Sequence, residues 1–447
     1  MPSVPEATGH AEPRGPSRWT QLFGDAATYT VGDILNRLFP FLLLPVLTRY
    51  LTPAEYGTFV MFQVVVNFLL PLVGLNVEAA VSRAMVQLSA VELSLYISTA
   101  LISGGGVALG LVATAAALAG PLQAFLGVPG PWLLIAIVVA TGESAKAVLL
   151  TVWQMEHRSR TYASFTVTQT AARTVACLAP VVWSGGGAKL EGLLWGYSLS
   201  LLAFAVYAVI ELVRCGLLVP RWAGEPARAF LRYGLPLVPH RVSGWLTGMA
   251  DRVIIAKLTS LGQVGIYSVG YSIGTAVALV QEAFNRAWVP FFFDRLARGD
   301  AAARVSIVQF ICLYAIAMLA TAVAVTAAAP LVFPLLGPRF AAARVFVVWI
   351  SFAYALNGIY KMFANFLFYS ARTSVLSAIT ISTGVVTLGV TILLVASRGV
   401  IGAAYGAVIG QALACAAVFV AARSVAPMPW RTGLATLPER IRRWRAL

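Results

Sequence analysis

The sequence predicts an all-α, polytopic membrane protein: twelve transmembrane helices in two six-helix bundles related by a pseudo-two-fold axis along the membrane normal. Three observations lead there. Apolar residues make up 59% of the 447 and charged residues only 11%, against about a quarter charged in ordinary soluble domains, so no water-soluble fold could bury the apolar surface. The apolar residues gather in twelve stretches, each near the length of about 20 residues that crosses the hydrocarbon core. The second half of the chain then echoes the first.

In order, the stretches span 26–50, 55–76, 92–119, 131–153, 162–183, 190–213, 231–257, 262–285, 304–327, 343–368, 373–397 and 400–422. Residues 1–20, polar and rich in proline (Pro2, Pro5, Pro13, Pro16), read as a disordered cytoplasmic tail without a cleavable signal peptide. Residues 21–213 form the first bundle, 214–230 a cytoplasmic linker, 231–422 the second bundle and 423–447 a basic cytoplasmic tail. In that tail Arg440, Arg442, Arg443 and Arg445 alternate with Ile441 and Trp444, a pattern suited to an anionic membrane surface.

An even number of spans puts both termini on one side. About 20 of the 32 Lys and Arg residues fall on that side, against six on the other: Arg49, Lys189, Lys257, Arg339, Arg344 and Arg398. Cytoplasmic loops accumulate positive charge, so the termini are expected in the cytoplasm and the chain in the cytoplasmic (inner) membrane. The net charge of +15 is thereby a record of topology, and nucleic acid is not an expected partner. The cysteines Cys177, Cys215, Cys312 and Cys415 lie singly in or beside apolar runs and, with three histidines, give no metal-ligand spacing; they read as packing residues.

The repeat shows at an offset of about 208–212 residues. Leu51-Thr52 leading to Tyr56-Gly57 is answered by Leu258-Thr259 leading to Gly265-Ile266-Tyr267. Arg160-Thr161 is answered by Arg372-Thr373, and the Gly192/Gly196 pair opening span 6 by Gly402/Gly406 opening span 12, with Gly410 one turn on. Three matches in one order point to two six-helix repeats of the same orientation. The glycine pairs permit close helix crossings and read as packing.

Charges inside the spans carry the functional signal, because each costs a few kcal/mol unless it is paired or lines a wet cavity. Six cations qualify: Arg37, Lys146, Arg173, Arg241, Arg252 and Lys361. Asp33 precedes Arg37 by four residues and Glu143 precedes Lys146 by three, spacings that put each pair on one helix face. Arg173 and Lys361 have no acid in their own helix and need a partner from elsewhere. Arg252 and Lys257 are expected to snorkel. Pro236 and Pro239 ahead of Arg241, and Pro40 and Pro45 in span 1, mark two bent helices in corresponding places. Net positive charge in a cavity suits an anionic cargo, since the guanidinium fork donates two parallel hydrogen bonds to phosphate. Asp33, Glu143, Asp251 and Glu282 are the candidates for a coupling ion, H+ or Na+; no other cofactor and no catalytic residue is expected.

These residues resemble a known family. Arg37-Leu-Phe-Pro40, Pro45 through Arg49 to Pro53-Ala-Glu-Tyr56-Gly57, Tyr233-Gly234-Leu-Pro236, Asp251-Arg252, Val264-Gly265-Ile-Tyr267-Ser268 and Ala287-Trp288-Val-Pro290-Phe are similar to segments of bacterial polysaccharide flippases. Those belong to the multidrug/oligosaccharidyl-lipid/polysaccharide exporter superfamily, and the resemblance runs from about Gly24 to Arg423. It implies two bundles around a cationic cavity that opens alternately to each side and flips an undecaprenyl-pyrophosphate-linked oligosaccharide for O-antigen, capsule or exopolysaccharide synthesis. It also implies that spans 1, 2, 7 and 8 line the cavity, favouring Arg37, Arg241 and Arg252 over Lys146, Arg173 and Lys361. The expected partners are the lipid-linked oligosaccharide, membrane lipids and other synthesis proteins such as a polymerase.

Three other functions compete. A multidrug exporter of the same superfamily shares the architecture but commonly handles cations, which an arginine-lined cavity disfavours. A polymerase or ligase needs a sizeable loop or domain for its acceptor and catalytic groups, and the loops here are short, with no carboxylate cluster. A non-transporting organiser of a synthesis complex would leave the buried cations without a purpose.

Overall fold

The computed structural model describes residues 41–183 and 188–438. They are helical throughout, with no strand among the described residues. Helix α1 is described over Phe41–Tyr50. It is followed by α2 (Pro53–Gly74), α3 (Val77–Gln87), α4 (Ala90–Ala117), α5 (Ala119–Leu126), α6 (Gly130–Met155), α7 (Ser159–Trp183), α8 (Ala188–Arg214) and α9 (Gly224–Gly234). The second half holds α10 (Val238–Leu258), α11 (Leu261–Gly274), α12 (Ala276–Arg298), α13 (Ala301–Val332), α14 (Arg344–Tyr369), α15 (Thr373–Arg398), α16 (Ile401–Val425) and α17 (Trp430–Ala435). The predicted tail 1–20 and the basic end of the chain from 439 lie outside the described residues, as do Asp33, Arg37 and Pro40.

Local chemistry sets the helix starts. Thr52 and Ser89 each accept from the backbone three residues on, while Glu55 and Glu92 reach back to the cap, so α2 and α4 open on capping boxes. Ser260 and Asp300 cap α11 and α13 in the simpler way. Eleven of the predicted stretches fall on helices, and the first does so over its described part, 41–50. Nine helices among the described residues are long and apolar enough to cross a membrane. Of the other three predicted spans, the described part of α1 is Phe41–Tyr50, while α7 is rich in Thr, Ser and Gln and α10 carries Arg241, Asp251, Arg252 and Lys257, which lowers their apolar character. Large apolar side chains such as Trp183, Leu331 and Leu393 stand outward, more than two thirds exposed, as a lipid-facing surface requires.

The two halves repeat one packing scheme. In the first, α6 packs on α2, α3, α4 and α8, and α7 on α8; in the second, α14 packs on α11, α12, α13 and α16, and α15 on α16. The second span of each half is interrupted midway. In the first half, Leu75 and Asn76 adopt left-handed backbone (φ 45° and 58°) between α2 and α3. In the second, Thr275 separates α11 from α12. The glycine pairs fall at equivalent crossings. A Cβ on Gly192 would sit 2.5 Å from that of Pro180 and one on Gly196 1.9 Å from the Ala176 carbonyl, while Gly402 approaches Leu394 at 2.2 Å and Gly406 approaches Thr391 at 2.3 Å. They are packing residues, as expected.

Register emerges more sharply from the helix ends than from sequence matching. Gly130 and Arg344, Met155 and Tyr369, and Ser159 and Thr373 are each 214 apart, so the Arg160-Thr161 and Arg372-Thr373 pairs are two residues out of register. The starts of α2 and α11 are 208 apart. Connections that differ in length between the halves shift the offset.

Residues 215–223 and α9 fold back onto the first bundle. Ser98 Oγ accepts from Val219 N at 2.8 Å, Thr99 Oγ1 from Ala223 N at 3.3 Å, and Phe230 is buried edge-on to Tyr96. At the other end of the chain, α17 docks on α13: Gly433 abuts Val308, Gln309 donates to Thr436 at 2.8 Å, and Trp430 packs on Phe363 and Phe419.

Candidate functional site

Two faces of the bundle pair differ in how the halves meet. One carries the linker 215–223 and is called the linker face; the other carries the α1–α2 and α10–α11 turns. On the turn face the halves touch main chain to main chain. A Cβ on Gly57 would lie 1.8 Å from the Leu261 carbonyl, one on Gly265 2.1 Å from the Pro53 carbonyl, and one on Gly337 1.9 Å from the Thr48 carbonyl. Lys257 adds a hydrogen bond to the Ala124 carbonyl at 2.6 Å and lies over Phe125. Midway along the seam, Trp245 of α10 donates to the Val64 carbonyl of α2 at 3.0 Å and its ring sits 4.8 Å from that of Phe68.

Nearer the linker face an ion pair joins one main-chain contact, a Cβ on Gly234 falling 2.1 Å from the Leu75 carbonyl. Arg241 of α10 stands 3.4 Å from the Glu78 carboxylate of α3, both side chains about half exposed. Asn76 reaches the Gly234 carbonyl at 3.4 Å beside it.

The predicted site residues are distributed among several places. Arg241, expected to line the cavity, lies at the seam paired with Glu78. Arg252, expected to snorkel and to line the cavity, instead points into the second bundle, where it is 7% exposed. It pairs with Asp251 at 2.7 Å, donates to the Gly248 carbonyl at 2.8 Å and lies 3.8 Å over the ring of Tyr271. Asp251 is further held by the Tyr267 hydroxyl at 2.6 Å. These contacts neutralise the guanidinium within four residues of its own helix and remove any drive toward the membrane edge. Lys146 is buried in the first bundle, paired with Glu143 on its own helix and bonded to Gln169 of α7 at 3.2 Å. Arg173 finds the face of Tyr197 at 5.9 Å. Lys361 on α14 and Glu282 on α12 are half-buried in the second bundle. The eight described candidates thus form no single cluster: Arg241 sits at the seam, Lys146, Glu143 and Arg173 within the first bundle, and Asp251, Arg252, Glu282 and Lys361 within the second; Asp33 and Arg37 lie outside the described residues.

Two cavities complete the picture. One of about 890 Å³ opens at the linker face between α3, α4 and α9, lined by Arg83, Glu92, Tyr96, Glu225, Arg232 and Tyr233. There Arg83 lies 5.3 Å over the Tyr233 ring and bonds Gln87 at 3.1 Å, while Glu92 is occupied by the Ser89 cap. A second, of about 290 Å³, lies between α10, α11, α14, α15 and α16.

Residues 22–296, more than half of the chain, match the sequence profile of the family described as polysaccharide biosynthesis protein. The chain belongs to that family. A protein of the Lsg locus of Haemophilus influenzae is 25% identical over 379 residues, covering 80% of this chain and 87% of that relative. Among solved structures, the lipid II flippase MurJ in an inward closed conformation superposes with a TM-score of 0.68 at 12% identity, over 92% of this chain and 89% of MurJ. A multidrug resistance MATE family transporter of the MOP superfamily, inward-facing, gives 0.61 at 15% identity over 87% and 94% of the two chains. The two-bundle fold of this polysaccharide biosynthesis protein is therefore that of the MOP transporters.

Sequence reasoning missed several residues of this family member that the structure brings together. Arg83 and Arg232 had been sorted with the topological charges, and only the folding of α9 onto α3 and α4 makes them line one cavity. Tyr271, Tyr354, Asn357 and Gln411 carry no charge, so they raise no insertion-cost signal. Their concentration in spans 8, 10 and 12 at membrane depth was the available clue.

Proposed function

We propose that this protein is a transporter rather than an enzyme: a flippase that carries an undecaprenyl-pyrophosphate-linked oligosaccharide across the cytoplasmic membrane by alternating access. The polymer it serves is O-antigen, capsule or exopolysaccharide. The observation that carries this reading is the asymmetry of the seam. The turn face is joined by three main-chain contacts, whereas toward the linker face one close approach, Gly234 to the Leu75 carbonyl, is accompanied by the half-exposed ion pair of Arg241 and Glu78, the kind of contact that contributes at most about 1 kcal/mol and yields readily. With the linker face cytoplasmic, the state is one in which cargo enters from inside. Membership of a polysaccharide biosynthesis family supports it.

In this mechanism the pyrophosphate competes with Glu78 for Arg241. A diphosphate offers more acceptor oxygens than one carboxylate, so its arrival draws the guanidinium away and uncouples α3 from α10. Arg83 and Arg232 at the cavity mouth raise the local concentration of the anion. Asp251 and Glu143 are each held by a cation, so a coupling ion, H+ or Na+, acts there by releasing Arg252 or Lys146.

The test is complementation of a strain lacking this protein. Arg241→Ala, alone and with Arg37→Ala, is expected to reach the membrane at wild-type level while surface polymer is lost and lipid-linked oligosaccharide accumulates inside. Undiminished polymer in the double variant overturns the reading; drug efflux without polymer replaces it with the exporter.

A further inference from the structure

The second bundle contains a polar cavity with a counterpart in the first that is filled. At the 214-residue offset set by the ends of α6 and α14 and of α7 and α15, Glu143 corresponds to Asn357, Lys146 to Tyr360, Gln169 to Thr383 and Arg173 to Thr387. In the first bundle Lys146 is buried between Glu143 and Gln169, with the half-buried Arg173 on the face of Tyr197; the four counterparts in the second all line the cavity of about 290 Å³. Lys146 bonds Gln169 of α7, and its counterpart Tyr360 lies 3.3 Å from Thr380 of α15. The architecture is the same, but one site is plugged by long charged side chains and the other is left open.

We infer that this cavity is a subsite for one sugar ring of the transported saccharide. Its lining is that of a polyol site. Tyr271 and Tyr354, linked hydroxyl to hydroxyl at 2.9 Å, present aromatic rings, and Asn357 and Gln411, linked at 3.1 Å, present amide donors and acceptors. The network extends inward to Gln281, whose Nε2 donates to Asn357 at 2.9 Å and whose Oε1, in a residue 1% exposed, has no hydrogen-bond partner. Asp251 supplies a carboxylate whose charge Arg252 balances in this state, so the cavity as it stands is neutral and suits a hydroxylated ligand. The volume is at the lower end of small-molecule pockets, about 300 Å³, and takes a single ring rather than a chain. Gly248 borders the cavity on α10, and a Cβ there or on Gly244 would meet nothing within 4 Å, so the helix leaves a notch beside it. The role as a transport subsite rests on the flippase reading; the binding chemistry does not.

The experiment is saturation-transfer NMR on the detergent-solubilised full chain with free hexoses and N-acetylhexosamines at millimolar concentration, in sodium and in choline buffer. The wild type is expected to give signal from at least one sugar in both buffers. Asn357→Ala and the shape-conserving Thr383→Val are expected to weaken it about tenfold, the equivalent of 1.4 kcal/mol, while Ser397→Ala at the exposed end of α15 leaves it unchanged. Each variant is compared with wild type by size-exclusion profile, and Thr383→Val keeps the test decisive if Asn357→Ala does not fold. No signal with any sugar, signal unaltered in both variants, or a sodium-23 response in place of a sugar response overturns the subsite. If sugar binding holds while the Arg241 variants make normal polymer, the subsite stands and the flippase reading falls.

Discussion

The indole of Trp245 and the carbonyl of Val64, 3.0 Å apart, form a hydrogen bond that crosses from one bundle to the other midway along the seam. It ties a side chain of the most polar spanning helix to a carbonyl already engaged in α2. Trp245→Phe keeps the ring against Phe68 and removes only the donor. A bond of this kind contributes about 1 kcal/mol, roughly a factor of five in an equilibrium. The expected outcome is a fold of unchanged stability with a several-fold faster reaction of cysteines introduced along α10 in a Cys215→Ser background, read with a membrane-impermeant thiol reagent.

At the turn face, Gly57→Ala places a methyl 1.8 Å from the Leu261 carbonyl. Neither backbone can yield without unwinding a helix. The variant is expected to insert normally but to lose surface polymer, with a cysteine at Thr259 becoming reactive from outside intact cells. Wild-type polymer with an unreactive Thr259→Cys contradicts the assigned seam.

Lys146→Met leaves the Glu143 carboxylate buried without its cation, a loss expected to cost about 3–5 kcal/mol. Glu143→Leu together with Lys146→Met removes both charges and is expected to recover most of the lost thermal stability, measured by fluorescence-detected gel filtration after heating. The pair then counts as a plug in the first bundle rather than a cargo ligand, provided that the double variant still supports polymer.

Exchanging the charges of the gate separates its two roles. Arg241→Glu with Glu78→Arg rebuilds the ion pair of 3.4 Å from the opposite sides. If Arg241 also meets the pyrophosphate from α10, the exchange restores thermal stability and fails to restore polymer. Recovery of both reduces the pair to a latch.

The hydrophobic spans were legible because apolar runs of membrane length are a local property of sequence, and among the described residues each of them coincides with a helix. What escaped was the outcome of competition between neighbours. Arg252 was expected to reach for the membrane edge, yet Asp251, one residue away, and Tyr271 from the next helix neutralise it in place. The interruption at Leu75-Asn76 directly follows Gly74 and lies four residues after Pro71; the predicted stretch ends there at 76, so the more polar helix α3 beyond it gave no apolar signal. The docked α17 lay within a tail whose charge drew attention away from Trp430. Lys146 with Glu143 was legible, because a three-residue spacing in one helix dictates the contact.

A joint built from peptide carbonyls against glycines, as at Gly57 and Gly265, leaves natural variation almost nothing to adjust, since any replacement can only add bulk. The energetics of opening must then be tuned elsewhere, at side-chain contacts such as Arg241 with Glu78. Substitutions at the ionic end can thereby shift the balance between the two halves while the glycine joint keeps its geometry.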